Sequence, residues 1–455
     1  MKFRVKNLGP LVDAAIELGD FTVVCGRNNC GKTYLAYTLD TFLDTIEYNL
    51  NLPLRDDDLE ALFTKGAVVI DLKTYAEAYT RILEKTLPDF TSTLSRFLAM
   101  SDDRFGNTVV EVPLTVKDVV DSLENGSPVN SGFILEEVKI TRASSLSIKR
   151  SYTSSKAVVT LINFAEELPP RKLVKTVAAR KLAHLFNSAL DRPLFPDSFI
   201  ITNERTGASL FRNELMAVKV RKDRDSNADQ IPTGYRGYGY QRPVEKDIEF
   251  ILELKKMVNN KSFIAIEHPE ILDYFSMLAG GAYVLDESAD QIKFRPTNSS
   301  FSLGLAESSS TVRALAEMHF YLKHKAKRGQ MLMLDEPEIN LHPENQRRLA
   351  RLLSMLVKIG MRVFITTHSD YIIRELNALV RIGLLSERDR KIIANKHGYL
   401  DGEFLQPSDL RLFVLHDGRS DEVAFDEETR SFGVPSFDYT IEQFNSLYND
   451  IVGLI

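Results

Sequence analysis

The sequence predicts a mixed α/β fold: a largely parallel sheet flanked by helices, carrying an antiparallel β subdomain and a helical and β insertion. Two observations carry that prediction. Near the start, the apolar run Phe21–Val24 leads through a glycine loop, GRNNCGKT at Gly26–Thr33, into a segment with Leu35, Leu39, Phe42, Leu43 and Ile46 at helical spacing. Far downstream, two more apolar runs, in MLMLDEPEINLHP (Met331–Pro343) and VFITTHSD (Val363–Asp370), each end on polar residues. Short unbroken apolar runs read as strands covered on both faces. Polar groups at the carboxyl ends of such strands are where an open α/β sheet presents ligand-binding side chains.

The loop fits G-x-x-x-x-G-K-[ST], a loose pattern that matches by chance in large sets of sequences, so its setting has to decide. The order strand, glycine loop, helix is the required setting. There the main chain of Gly26, Arg27, Asn28, Asn29, Cys30 and Gly31, running on into Tyr34, would cradle phosphates at a helix N-terminus. Lys32 would reach the β- and γ-phosphates, and Thr33 would offer its hydroxyl to Mg²⁺. A glycine turn with an accidental Lys-Thr is the bland alternative, and it leaves the later strands unexplained.

Asp335 ends its apolar run and is the candidate metal ligand. Glu336, one residue on, is suited to polarise or deprotonate an attacking water; the bland reading is an exposed acidic turn. Pro343 then opens a helix that Gly360 stops, with Leu349, Leu352, Leu353 and Leu356 inward. His368 repeats the design, a polar residue at a strand end, and could donate to a γ-phosphate. One such His is more often structural, but as the third strand-end polar group in the series it reads as functional.

Bulk properties narrow the class. With 455 residues, 44% hydrophobic and 26% charged, the chain is long enough for a large domain with an insertion, or for two or three domains. A formal charge of −6 argues against a surface built throughout to neutralise phosphates, so nucleic acid is not favoured as a partner. The only cysteines, Cys25 and Cys30, sit beside and inside the loop, which excludes a disulfide framework and a spaced Cys/His metal cluster. MKFRVKNLG alternates like a strand, and no run of about 18 apolar residues occurs, so a cytoplasmic, membrane-free protein is expected.

Together the three stretches resemble ABC-type ATPases of the SMC, RecF and OLD group over roughly residues 1–45 and 195–375, with DEPE-x-x-LHP and TTHS as the specific part. The resemblance implies Mg²⁺-dependent ATP hydrolysis with ATP and Mg²⁺ as cofactors. It also implies that each nucleotide is completed by a second copy of the chain, whose signature serine and helix N-terminus press on the γ-phosphate. AESSSTVRAL (Ala306–Leu315) lies where that signature belongs, with Ser308, Ser309 and Ser310 as candidates and Ser309-Ser310 in place of the usual Ser-Gly. An ordinary serine cap on a helix running through Val312, Leu315, Ala316 and Phe320 is the competing reading.

By the same resemblance, Glu204 and Arg205 in IITNERTG occupy a loop that links nucleotide state to the attached domain, with Glu204 a further metal candidate; an internal Glu-Arg ion pair competes. Asn340 and His342 would lie along the subunit contact.

Residues 48–190 are expected to form the insertion, helical over Asp71–Met100, strand-rich over Val109–Leu161 and helical again over Lys172–Leu190. The expected divisions are 1–47 and 191–380 for the head, 48–190 for the insertion, and 381–455 for a hairpin and terminal helix (Thr440–Leu454) packing on the head. Sustained heptads are missing, which argues against a long coiled-coil arm. Lys219–Pro243 mixes basic residues with an Arg-Gly-Tyr segment and is the best nucleic-acid candidate, although such loops are more often connectors. Leu412–Val423 faintly resembles the opening of a Toprim nuclease, but too little chain follows for that domain.

A compact head with a moderate insert and no fused nuclease resembles the stand-alone ATPases of prokaryotic antiphage defence systems, the AriA-type ATPase of PARIS systems among them. The resemblance implies a homo-oligomer that senses a phage-encoded trigger and holds, then releases, a separate Toprim nuclease effector. The alternative is a RecF-like repair ATPase that clamps DNA.

Overall fold

Alternation in the first residues produces two strands, β1 (Lys2–Leu8) and β2 (Leu11–Glu17), in which Val5, Leu8, Leu11, Ala14 and Ile16 turn inward. The FTVV run becomes β3 (Phe21–Gly26), buried at every position, and the loop feeds helix α1 (Lys32–Asn49). The computed structural model describes residues 1–100, 105–124, 133–151, 155–163, 167–190, 195–212, 214–215, 239–286, 291–434, 443 and 446–451. Among the described residues no helix is long and apolar enough to cross a membrane.

Two units emerge: Val5–Asp40 with Ser95–Arg104 and Ser198–Ile455, and Met1–Arg4 with Thr41–Leu94 and Phe105–Asp197. In the first, the elements that concern function are β4 (Ser198–Ile201), α2 (Arg205–Leu210), α3 (Arg242–Leu252), α4 (Ser310–His324), β5 (Met331–Asp335), α5 (Pro343–Lys358), β6 (Arg362–Thr367), α6 (Asp370–Gly383), β7 (Leu410–His416) and β8 (Arg419–Val423). The main sheet of this unit runs β1-β2-β8-β7-β3-β6-β5-β4. Strands β7, β3, β6, β5 and β4 are parallel throughout. The predicted mostly parallel α/β sheet is therefore present, and a small antiparallel sheet (Gly281–Asp286, Gln291–Pro296, Leu303–Gly304) accompanies it.

Parallel pairing fixes where the polar strand ends fall. Leu334 and Ile365 pair, Asp335 and Thr366 pair, and Thr367 lies beside Cys25 just before the glycine loop. Three polar ends, one of them about 300 residues before the other two, are thus delivered to one edge of one sheet. The core beneath them is apolar: Leu349, Leu352, Leu353 and Leu356 of α5 are buried with Leu332, Leu334, Val363 and Ile365, as the helical spacing predicts.

The Leu412–Val423 stretch is a hairpin, as expected, but it lies within the main sheet. Strand β7 pairs directly with β3, Leu412 opposite Val23, and β8 closes the hairpin. Its LFVL run is buried because a central strand needs cover on both faces. Asp417 and Asp421, the acids of the stretch that resembles a Toprim opening, both flank His416, whose Nε2 meets Asp421 at 2.5 Å.

The second unit holds an antiparallel sheet ordered Ala67–Asp71, Lys156–Asn163, Ser144–Ser151, Phe133–Thr141, with Phe42 at 5.5–6.0 Å from the rings of Phe3, Phe90 and Phe195. Two sequence expectations change here. The helix expected from Asp71 begins at Ala76, because the Asp71 carboxylate accepts from Lys73 N–H and turns the chain at the end of a strand. Within the stretch expected to be strands, Val116–Glu124 is helical. Thr115 and Asp118 exchange reciprocal hydrogen bonds, Asp118 N–H to Thr115 Oγ1 at 3.1 Å and Thr115 N–H to Asp118 Oδ2 at 2.9 Å. That is a capping box, and its signal, TVKD, was present in the sequence. The Lys172–Leu190 helix is found at Arg171–Leu190.

Most of Lys219–Pro243 lies outside the described residues. So does most of Thr440–Leu454, of which residues 446–451 are helical with Leu447, Tyr448 and Ile451 exposed.

Candidate functional site

The glycine loop owes its shape to two positions that exclude a side chain. A Cβ on Gly26 would stand 2.5 Å from the Leu415 carbonyl oxygen, and Gly31, at φ +101°, would press one into Leu11 at 2.6 Å. Between them Arg27, Asn28 and Asn29 are exposed, so the loop presents main chain outward ahead of α1. Lys32 is 4% exposed and its ammonium donates to the carbonyl oxygens of Gly26 (3.3 Å) and Arg27 (3.0 Å), with Cys30 Sγ at 3.9 Å. Tyr34 lies against Gly9 and donates to Met100 Sδ at 3.6 Å.

Thr33 donates its hydroxyl to Asp335, at 3.1 Å to Oδ2 and 3.3 Å to Oδ1, and Thr366 Oγ1 donates to Oδ1. Burial pushes the Asp335 carboxyl up to about 6; the Thr366 hydrogen bond opposes that rise, and the neighbouring Glu336 charge adds to it. Glu336 has φ +48°, a left-handed conformation that a glutamate adopts only when held. Its N–H is held by the carbonyl and the hydroxyl of Thr366, both at 3.1 Å.

His368 joins the two halves. Its Nε2 lies 2.9 Å from Glu336 Oε1 and its Nδ1 3.5 Å from Lys32 Nζ. Burial, then the Lys32 charge, moves the imidazole below its usual range, so it is neutral at pH 7. Because an ammonium can only donate, Nδ1 is the acceptor and Nε2–H donates to Glu336.

Lys32, Thr33, Asp335, Glu336 and His368 are therefore brought together by three segments. Glu204 is exposed, accepts from Tyr37 OH at 3.0 Å, and stands near enough to Asp335 that both carboxylates raise the Tyr37 phenol well above its usual range, after burial. Arg205 is not its ion-pair partner. The guanidinium is 4% exposed and donates to main-chain carbonyls of Ala314, Thr202, Asp335 and Glu336 at 2.9–3.1 Å.

In the serine stretch, Ser308 is buried and donates to the Gly304 carbonyl at 2.8 Å, while Ser309 and Ser310 are exposed. Ser309 caps α4 by accepting from Val312 N–H, and Thr311 ties that end to the Asn340 carbonyl at 2.6 Å. His342 caps α5, its Nδ1 accepting from Glu344 N–H at 3.4 Å. Asn340 itself is exposed at φ +66°.

Sequence reasoning missed several members of the site. Glu338, the second acid of DEPE, accepts from the Thr367 hydroxyl and the His368 N–H, so it fixes the loop that carries the imidazole. Its recurrence two residues after Glu336 was the available signal. Asp247 and Glu317, both 0% exposed, were missed altogether. Asp247 accepts from Thr202 N–H at 2.9 Å and from its hydroxyl. Asp247 Oδ1 and both Glu317 oxygens have no other donor among the described residues, and the two carboxyl groups adjoin each other. Two adjoining buried carboxyl groups cannot both ionise cheaply, so the protonated form of the pair is favoured.

Burial, then repulsion from Asp247, keeps Glu317 protonated; burial raises Asp247 to about 7, against the Thr202 hydrogen bonds and the Arg205 charge. A folded-state value above that of the unfolded chain means the stabilising form is the protonated one. That stability is fully present below the ordinary carboxylate range and drains away as pH climbs toward about 7. The groups facing the pair are Arg205, Thr202 and Lys325. Glu317→Gln, which cannot ionise and keeps a donor for Asp247, is expected to shrink the drop in Tm between pH 5 and pH 8 by about 3 °C. Thermal melts across that range check it, and an unchanged slope contradicts a protonated Glu317.

The model of the AAA ATPase domain matches residues 1–169 and 273–373. No curated protein matches the chain by sequence. Among solved structures, the SmcHead bound to the C-winged helix domain of ScpA is 11% identical, with 94% of this chain and 98% of that one covered and a TM-score of 0.35. The Smc head domain with an extended coiled coil bound to the C-terminal domain of ScpA, from Pyrococcus furiosus, is 13% identical over 98% of both chains, TM-score 0.36. The SMC head domain from Thermotoga maritima is 13% identical over 93% of this chain and 98% of its own, TM-score 0.31.

Proposed function

Because the chain belongs to the AAA ATPase domain family, whose model covers both the glycine loop and the Asp335–His368 strands, we propose that it binds ATP with Mg²⁺ at these residues and hydrolyses it between two copies of itself. The observation that carries the reading is the convergence of Lys32, Thr33, Asp335, Glu336 and His368 within 2.9–3.5 Å links at one sheet edge.

The residues fit a phosphate-bound divalent cation. Asp335 is a carboxylate whose ionised form is disfavoured by burial, and Thr33 already points its hydroxyl at it. Among the described residues no three His, Cys, Asp or Glu side chains converge on one metal position, so the remaining ligands have to come from phosphate and water. Mg²⁺ bound there would neutralise charge building on the transferred phosphoryl group.

The chain's own groups do the rest. Lys32, now resting on loop carbonyls, is placed to exchange them for β- and γ-phosphate oxygens, and the loop N–H groups face the same anion. Glu336 accepts the proton of the attacking water. The neutral His368, donating to Glu336 through Nε2, orients that carboxylate and reports through Nδ1 to Lys32.

Ser309 and Ser310 stand exposed at the N-terminus of a 15-residue helix, suited to the γ-phosphate of a second copy. ATP would then fasten two heads, and hydrolysis would release them. Lys32→Ala is expected to weaken ATP binding by at least about 100-fold and to abolish ATP-dependent dimers, since Lys32 is the buried cation of the loop while Arg27 is exposed. Fluorescent-nucleotide titration and mass measurement with and without ATP test this; retained tight binding refutes the site.

The finer role we infer is that of a cytoplasmic sensor and scaffold in antiphage defence, holding a separate Toprim nuclease until a phage protein triggers release. What supports it is the wording of DEPE-x-x-LHP and TTHS together with a moderate insert lacking heptads. Co-purification with a neighbouring gene product regardless of DNA supports it. DNA-stimulated hydrolysis with steep salt dependence would instead indicate a DNA clamp.

A further inference from the structure

We infer that Arg205 is a positioning residue that couples helix α4, at the end where a second copy's nucleotide would dock, to the main chain that carries Glu336 in the same subunit. This rests on the two-copy reading above and adds to it the route by which docking on one face sets the water-activating group on another.

The geometry is specific to an arginine. Nε donates to Ala314 O on α4 at 3.1 Å, Nη1 to Asp335 O at 3.1 Å and Thr202 O at 2.9 Å, and Nη2 to Glu336 O at 3.1 Å. One planar fork thus joins three chain segments that are far apart in sequence. The Asp335–Glu336 peptides are held from both sides, by Thr366 at the Glu336 N–H and by Arg205 at the carbonyls. Glu336 needs that hold, since φ +48° is unfavourable for it.

Helix α4 comes near the guanidinium a second time. Glu317, three residues after Ala314 and so on the same helical face, is buried with Asp247 around the Arg205 charge. A displacement of α4 therefore cannot leave the Glu336 backbone unmoved unless these buried contacts break. The N-terminus of the same helix carries the exposed Ser309 and Ser310 and is tied by Thr311 to the Asn340 carbonyl. Both ends of the segment between Glu336 and Asn340 are in this way fastened to α4. A lysine at position 205 would present one ammonium in place of the fork and would lose at least one of the three segments.

The test separates binding, assembly and chemistry in wild type, Arg205→Lys and Thr311→Ala. ATP affinity is measured by fluorescent-nucleotide titration, ATP-dependent dimers by mass, and turnover at saturating ATP over a range of subunit concentrations, with melting curves as the folding control. Wild-type turnover per subunit is expected to rise with subunit concentration. For Arg205→Lys, affinity should stay within about threefold and dimers should still form, while turnover falls by roughly tenfold or more and loses its concentration dependence. Thr311→Ala, which leaves the guanidinium in place and cuts the tie of α4 to the Asn340 carbonyl, should show a smaller loss of the same kind.

Folded Arg205→Lys with wild-type turnover and wild-type concentration dependence overturns the coupling while leaving the two-copy reading intact. Should Arg205→Lys fail to fold, a Thr311→Ala protein with undiminished turnover and concentration dependence overturns it equally. Wild-type turnover that is independent of subunit concentration overturns the two-copy reading and, with it, this inference.

Discussion

Glu336→Gln should lower ATP turnover by at least about 100-fold while leaving ATP binding close to wild type, and ATP-bound dimers should accumulate. The magnitude follows from the usual contribution of a general base, roughly 10²–10⁴ in rate. Binding survives because the phosphate contacts assigned to Lys32, Thr33 and the loop do not involve Glu336. The amide keeps an oxygen that can accept from His368 Nε2, so the local geometry is retained while proton acceptance is lost. Single-turnover hydrolysis and mass measurement in ATP check both halves. Wild-type turnover in a folded Glu336→Gln protein would show that another group activates the water. His368 is then the first to examine, since it lies 2.9 Å from the Glu336 carboxylate.

Asp335→Asn is expected to do two opposite things. Without nucleotide, at pH 7.5, the variant should be more stable than wild type by roughly 1–3 kcal/mol, because burial has raised the Asp335 carboxyl to about 6 and the ionised form is carried at a cost. The sign follows from the direction of the shift: the stabilising proton is in place below the ordinary carboxylate range and is lost as pH rises through about 6. Wild type should therefore lose stability between about pH 4 and pH 7, and Asp335→Asn should lose less. With Mg²⁺ and ATP the order should reverse, since wild type gains ligand stabilisation and the amide is a poor partner for a divalent cation. Turnover should vanish. Melting curves with and without Mg²⁺ and ATP test the pair of outcomes, and a variant less stable than wild type in both conditions contradicts the reading of a carboxylate kept under strain for a cation. Residues installed for chemistry at a cost in stability are a general expectation for active sites.

What could be read from the sequence is what is local. GRNNCGKT fixes a loop because Gly26 and Gly31 have no room for a side chain, and the helix after it follows from Leu35, Leu39 and Phe42 on one face. MLMLD and VFITT are strands because unbroken apolar runs of that length need cover on both sides, and the parallel register that aligns Asp335 with Thr366 and Thr367 with Cys25 then carries Lys32, Asp335 and His368 to one edge. The Val116–Glu124 helix was equally legible in TVKD and was passed over because the surrounding residues favour strands.

Tertiary structure decided the rest, because periodicity reports which face of an element is covered but not which distant element covers it. Nothing local announces that β7, nearly 400 residues after β3, pairs with it, since an LFVLH run suits an edge hairpin as well as a central strand. Arg205 beside Glu204 suggests an ion pair within the loop. Folding instead points the guanidinium inward to carbonyls more than 100 residues away in the chain, because a buried fork of donors must find acceptors wherever the backbone leaves them. Asp247 and Glu317 look like ordinary charges on amphipathic helices, and only their burial beside each other near Arg205 disfavours their ionised forms. The sequence by itself set the loop, the strand ends and the acid that meets the water; which buried charges lock those parts to one another depends on long-range contacts that no local spacing encodes.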